Sequence, residues 1–127
     1  MTHIPKQLWV FQAQPIRVVD GDTLDVVIDS GFRGTRTERL RLLGVNCPET
    51  RGPTQDLGRE AATFTGLWIH QASAEVPKWP LVIETRESDV FGRYLARVWR
   101  VSDGRELNED LIANGFAVED IRKGPEQ

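Results

Sequence analysis

A chain of 127 residues with 39% apolar residues and four tryptophans is long enough for one domain around a real hydrophobic core and too apolar for disorder. The formal net charge of −3 gives no global mark of a nucleic-acid binder, although Arg33, Arg36, Arg39, Arg41 and Arg51 lie close in sequence. The single cysteine, Cys47, excludes an intramolecular disulfide framework, and no apolar run is long enough for a signal peptide or a membrane span.

The first half reads as strands. Gln14 to Val19 and Thr23 to Asp29 alternate apolar and polar residues on either side of Asp20-Gly21-Asp22, and Asp-Gly between such runs predicts a hairpin. Ser30 to Gly34 is a second turn. Thr35 to Leu43 is a third strand, with Arg39, Arg41 and Leu43 on one face and Leu40 and Leu42 on the other. Asn46-Cys47-Pro48 ends it, and Arg51 to Asp56 is a polar loop. A helix is expected from about Gly58 to Ala72, with Leu57, Ala61, Phe64 and Trp68 forming one apolar stripe packed on the core.

Leu81 to Thr85 and Tyr94 to Val101 read as two further strands around a turn at Asp89 to Gly92. Asn108 is placed to cap a short last helix, with Leu107 and Ile112 at the staple positions, Glu109 and Asp110 in the first turn, and Asn114-Gly115 as the stop. Beyond Ile121 the tail is polar. The order strand, strand, strand, helix, strand, strand predicts a mainly β (α+β) fold, a five-stranded Greek-key barrel of OB type with two packed helices. The expectation is one monomeric cytoplasmic domain over 1–127, its core spanning about 14–121.

The chemistry concentrates in a few places. An acidic turn (Asp20, Asp22), an arginine on a strand (Arg41), a carboxylate just after a proline (Glu49) and an arginine after a glycine (Arg93) are the parts of a metal-assisted phosphodiester hydrolase. Carboxylate oxygens suit a hard cation, and arginine grips phosphate oxygens in a fork. Each residue also has a plainer reading. Asp22 is a good turn former, Glu49 an ordinary loop glutamate, and Arg93 a surface partner of Asp89. Arg39 and Arg41 share a face, and alternation does not choose between them. The arginine cluster also reads as a solvated strand-and-loop surface. Cys47 has no histidine near it in sequence, and its soft thiol is a poor ligand for a hard cation. Two histidines, His3 and His70, are too few for a histidine-rich zinc site.

Five blocks in order carry a resemblance: D-G-D-T from Asp20, R-L-L-G-V-N-C-P-E-T from Arg41, G-R-E-A-A-T-F-T from Gly58, D-V-F-G-R-Y-L-A from Asp89 and L-N-E-D-L-I-A-N-G from Leu107. They carry a match that runs from about Gln14 to Val118, and with it the chain resembles the staphylococcal nuclease (thermonuclease) family. The resemblance implies an OB-type barrel and a calcium-dependent nuclease acting on DNA, RNA or both. It also implies roles. Asp22 and Asn46 would hold the metal with the backbone carbonyl of Cys47, and Glu49 would be the catalytic glutamate. Arg41 and Arg93 would bind the phosphate, and Phe91 would offer an aromatic face to the substrate. The pattern departs from the family's archetype at Asn46, where an aspartate stands. It departs again at Val90, Phe91 and Ile121, which replace a lysine and two tyrosines. These departures leave a second expectation open, a catalytically silent OB-type module that binds nucleic acid or a protein.

Overall fold

The computed structural model describes residues 9–75, 78–88 and 92–120. Five strands close a barrel in the order β1 (Val10–Asp20), β2 (Thr23–Gly31), β3 (Gly34–Leu42), β6 (Tyr94–Arg100), β5 (Leu81–Ser88). All pairings are antiparallel except β3 with β6, which run parallel because helix α1 (Gln55–Glu75) and β5 lie between them in the chain. This is the expected five-stranded OB-type barrel with two helices. Closure follows from β1, whose first residues pair with β5 and the rest with β2.

The alternation works as the sequence predicts. Leu24, Val26 and Ile28 of β2 and Leu40 and Leu42 of β3 point inward, where they meet Leu81, Ile83, Ala96 and Val98. Burying each of these aliphatic side chains contributes roughly 1.5–3 kcal/mol for the larger ones. Helix α1 closes one side of the barrel through Ala61, Thr65, Trp68, Ile69 and Ala72. No helix among the described residues is long and apolar enough to cross a membrane.

Four details differ from the sequence expectation. Helix α1 begins earlier, at Gln55, after a 3-10 turn over Gly52–Thr54, so much of the expected loop is helical. Its buried stripe starts at Gly58 rather than at Leu57, which is 57% exposed. The helix packs so closely that a Cβ at position 58 would lie 2.0 Å from the Glu49 carbonyl oxygen, which leaves no room for a larger residue. The segment after β3 also forms a strand of its own, β4 (Val45–Asn46), paired with β7 (Val118–Glu119).

The last helix, α2 (Leu107–Ala113), has Glu106, not Asn108, at its N-cap position, with no capping bond from the side chain. Asn108 lies inside the first turn, 4% exposed, where its carbonyl oxygen accepts from Val98 N–H at 3.2 Å and its amide donates to Leu43 O and Ala96 O. The demand of those three buried backbone groups outweighs the local capping preference. With the cap two residues earlier than expected, the staple positions fall on Arg105 and Asp110 rather than Leu107 and Ile112. They form a two-pronged ion pair at 2.7 and 2.9 Å. Gly115 ends the helix as expected. Its φ is 81°, and the Gly115 and Phe116 amides return to Ile112 O and Leu111 O, the Schellman pattern.

Candidate active site

The β1–β2 turn is a two-residue loop, Gly21-Asp22, between the paired Asp20 and Thr23. Gly21 is needed for close approach: a Cβ there would lie 2.8 Å from the Ala61 Cβ and 2.9 Å from the Cys47 Sγ. The Thr65 hydroxyl of α1 donates to Gly21 O at 2.7 Å and fixes the turn against the helix. Asp22 follows, 6% exposed, with Oδ1 accepting from the Thr23 hydroxyl at 3.1 Å and Oδ2 from the Cys47 N–H at 2.8 Å. A buried carboxylate with donors on both oxygens is a rigid one.

Arg41 completes this corner. Its Nη1 donates to Leu42 O and Val45 O, both at 2.8 Å, and its Nη2 donates to Asn46 Oδ1 at 3.2 Å and lies 3.5 Å from Asp22 Oδ2. Thr23 pairs with Arg41 across β2 and β3, which brings the guanidinium beside the acidic turn. Arg39, on the same face, is captured instead by Asp25 through bonds of 2.7 and 3.1 Å. Neighbouring carboxylates therefore separate two arginines that alternation leaves equivalent. Arg36 is likewise paired with Glu38, so the basic cluster is in good part neutralised in place.

Arg93 is half-buried and stands immediately before Tyr94, whose parallel partner is Leu40, next to Arg41 in the neighbouring strand. Glu49 is exposed, on the loop between β4 and the 3-10 turn. Phe91, Val90, Ile121, His3 and Asp89 lie outside the described residues, as does the possible Asp89–Arg93 pair.

The donor set can be tested against a metal. Among the described residues no group of three or more histidine, cysteine, aspartate and glutamate side chains gathers as a closed metal cage. Two hard oxygens from separate elements, Asp22 Oδ2 and Asn46 Oδ1, do converge on one cationic nitrogen of Arg41. Carboxylate and amide oxygens are the donor types a hard cation takes, so the chemistry of the pair fits one, while in this structure both oxygens face the Arg41 guanidinium. The Cys47 thiol is no nucleophile. Burial, then the charge of Asp22, pushes it up to about 12, so it stays protonated at neutral pH.

Thr50, Thr54, Gly58 and Thr65 also hold this corner together, and the residues alone assign them no chemistry. Thr50, Gly58 and Thr65 fall within the motif blocks, and Thr65 is a polar residue on the buried stripe of α1.

The chain is 39% identical over 106 residues to the thermonuclease of Staphylococcus hyicus, and 38% identical over 105 residues to that of Staphylococcus intermedius. Each match covers 80% of this chain and 55% of the relative. An uncharacterized endonuclease of Escherichia coli O157:H7 is 27% identical over 124 residues, covering 91% of this chain and 71% of the relative. The chain thus spans about half the length of the two thermonucleases. The family model for the staphylococcal nuclease homologue matches residues 39–127, more than half of the sequence, and the chain belongs to that family.

Proposed function

We propose that this chain is a calcium-dependent nuclease that hydrolyses phosphodiester bonds of DNA, RNA or both. The observation that carries the reading is the fixed Arg41 guanidinium. It is anchored by two backbone carbonyls and lies beside the Asp22 carboxylate, at the barrel end from which the Glu49 loop departs. A cation fixed before substrate arrives stabilises developing phosphate charge without reorganising. Arg41 and Arg93 grip the non-bridging oxygens of the scissile phosphate. Neither releases a proton, since guanidinium stays charged at any working pH.

Glu49 takes the proton of a water as its oxygen attacks phosphorus and the ester oxygen departs. The Asp22 carboxylate, the Asn46 amide oxygen and the Cys47 carbonyl would hold the cation. When bound, calcium withdraws charge from a phosphate oxygen and makes a nearby water easier to deprotonate. Phe91 offers a face for a base or sugar. The names of the relatives, two thermonucleases and an endonuclease, support the same reading.

A second reading, the catalytically silent OB-type module, has one observation in its favour. Of Asp22, Asn46 and Cys47 only Asp22 brings a formal charge, and both its oxygens already accept hydrogen bonds. Incubating the purified chain with single-stranded DNA in calcium and, in parallel, in chelator decides between them. The nuclease degrades the strand only in calcium. A folded chain that leaves the strand intact in both supports the silent module.

A further inference from the structure

Glu49 is exposed, yet the backbone that carries it is held from two sides. On one side the Thr50 hydroxyl donates to Asp20 Oδ1 at 2.8 Å, and the Thr50 N–H approaches the same oxygen at 3.4 Å. The Thr50 N–H belongs to the peptide that links Glu49 to Thr50, so Asp20 holds both that peptide and the adjacent side chain. On the other side the Glu49 carbonyl accepts from the Thr54 hydroxyl at 3.1 Å and lies against Gly58 in the first turns of α1. Asp20 itself ends β1, two residues before Asp22. The same hairpin end thus sets the position of the Asp22 carboxylate and of the Glu49 peptide.

We propose that Thr50, held by Asp20, is a positioning residue that fixes the Glu49 carboxylate relative to Asp22 and Arg41. This rests on the reading of Glu49 as the base of a nuclease. The physical reason is the cost of misplacement. A base must meet its water within hydrogen-bond reach, and a displacement of about 1 Å can cost on the order of a hundredfold in rate. A free glutamate on an untethered loop would sample many such displacements. The Thr50 hydroxyl touches neither the Asp22–Asn46 pair nor Arg41, so its loss leaves phosphate and cation binding in place.

The test compares wild type, Thr50→Val and Thr50→Ser on single-stranded DNA in saturating calcium. Thermal unfolding confirms the fold, calorimetric titration with calcium alone follows the metal, and amide hydrogen exchange follows residues 49–54. Thr50→Val is expected to lower kcat about ten- to a hundredfold. KM and the calcium affinity stay within about twofold, and exchange at 49–54 quickens while the barrel strands keep their protection. Thr50→Ser, which keeps the hydroxyl, restores most of kcat. Equal kcat in Thr50→Val and wild type overturns the inference. So does a loss that Thr50→Ser fails to restore, or one shared by KM and the melting temperature, since each marks a structural role only. A folded wild-type chain without calcium-dependent turnover overturns the nuclease reading itself, and this inference with it.

Discussion

Arg41 Nη2 lies 3.5 Å from Asp22 Oδ2, with the two side chains only 12% and 8% exposed. A nearly buried pair of this kind ties a strand arginine to a turn aspartate. It also sets a positive and a negative group side by side at one end of the barrel. Breaking such a pair leaves an uncompensated buried charge, so its members are sensitive positions.

Arg41→Lys tests the fork. A lysine carries the charge but cannot span Leu42 O, Val45 O and Asn46 Oδ1 from one planar group. We expect cleavage to fall by about a hundredfold or more, as when one preorganised transition-state donor is removed. Arg39→Lys, whose partner is Asp25, should change activity less than about threefold. Steady-state kinetics on a defined oligonucleotide check both.

Asn46→Asp adds a second carboxylate beside Asp22. Calcium affinity depends on the number of charged ligands, so the variant should bind calcium at least about tenfold more tightly. Calcium titration by calorimetry, without substrate, reads this directly. Unchanged affinity would remove Asn46 from the ligand set.

The two glycines of α1 should respond in opposite directions. At Gly58 an added Cβ would meet Glu49 O at 2.0 Å, and at Gly66 it would meet nothing within 4 Å. Gly58→Ala should therefore destabilise the fold by about 1–3 kcal/mol or more and reduce activity through the Glu49 loop. Gly66→Ala should stabilise it by about 0.5–1 kcal/mol, the ordinary gain of alanine over glycine in a helix. Denaturant midpoints at constant slope measure both.

These contrasts also explain how much the sequence alone could reveal. The barrel was legible because Leu24, Val26, Ile28, Leu40 and Leu42 alternate without interruption, and one face of each strand must be buried. The Asp-Gly turn, the strand alternation and Pro48 placed Asp22, Arg41 and Glu49 on turn, strand and loop, where the structure has them. Asn108 misled because its preference for a cap is local, while the carbonyls and amide that claim it come from β6 and the segment after β3. The β4–β7 pairing was illegible, since two strands of two residues each carry no period. Alternation left Arg39 and Arg41 equivalent and only the motif selected Arg41; the physical difference, Asp25 across the hairpin taking Arg39, is a contact between strands that no alternation shows.

Asp110 makes the stability depend on acid. The hydrogen-bonded Arg105 guanidinium holds its carboxyl below the usual range against the opposing effect of burial, and the Trp68 indole N–H, donating at 2.9 Å, adds to the lowering. A depressed folded-state value stabilises the protein above the unfolded carboxylate's pKa of about 3.9. That contribution is lost as pH falls through the lower folded value. Asp110→Asn should therefore cost about 1 kcal/mol at pH 7, the exposed partner guanidinium being screened by solvent. Its deficit should shrink as pH falls from about 4 through the lower folded value, where the wild-type carboxylate also becomes neutral. Urea unfolding at pH 7 and pH 3 gives the two differences.

The central claim is that Glu49 takes a proton from water in a hydrolytic step, and Glu49→Gln tests it most directly. The substitution keeps size and exposure but removes the base. Turnover of single-stranded DNA in calcium should fall by about a hundredfold or more, the usual contribution of a general base, while strand binding measured by fluorescence anisotropy stays within about threefold. Turnover equal to that of wild type would contradict the account.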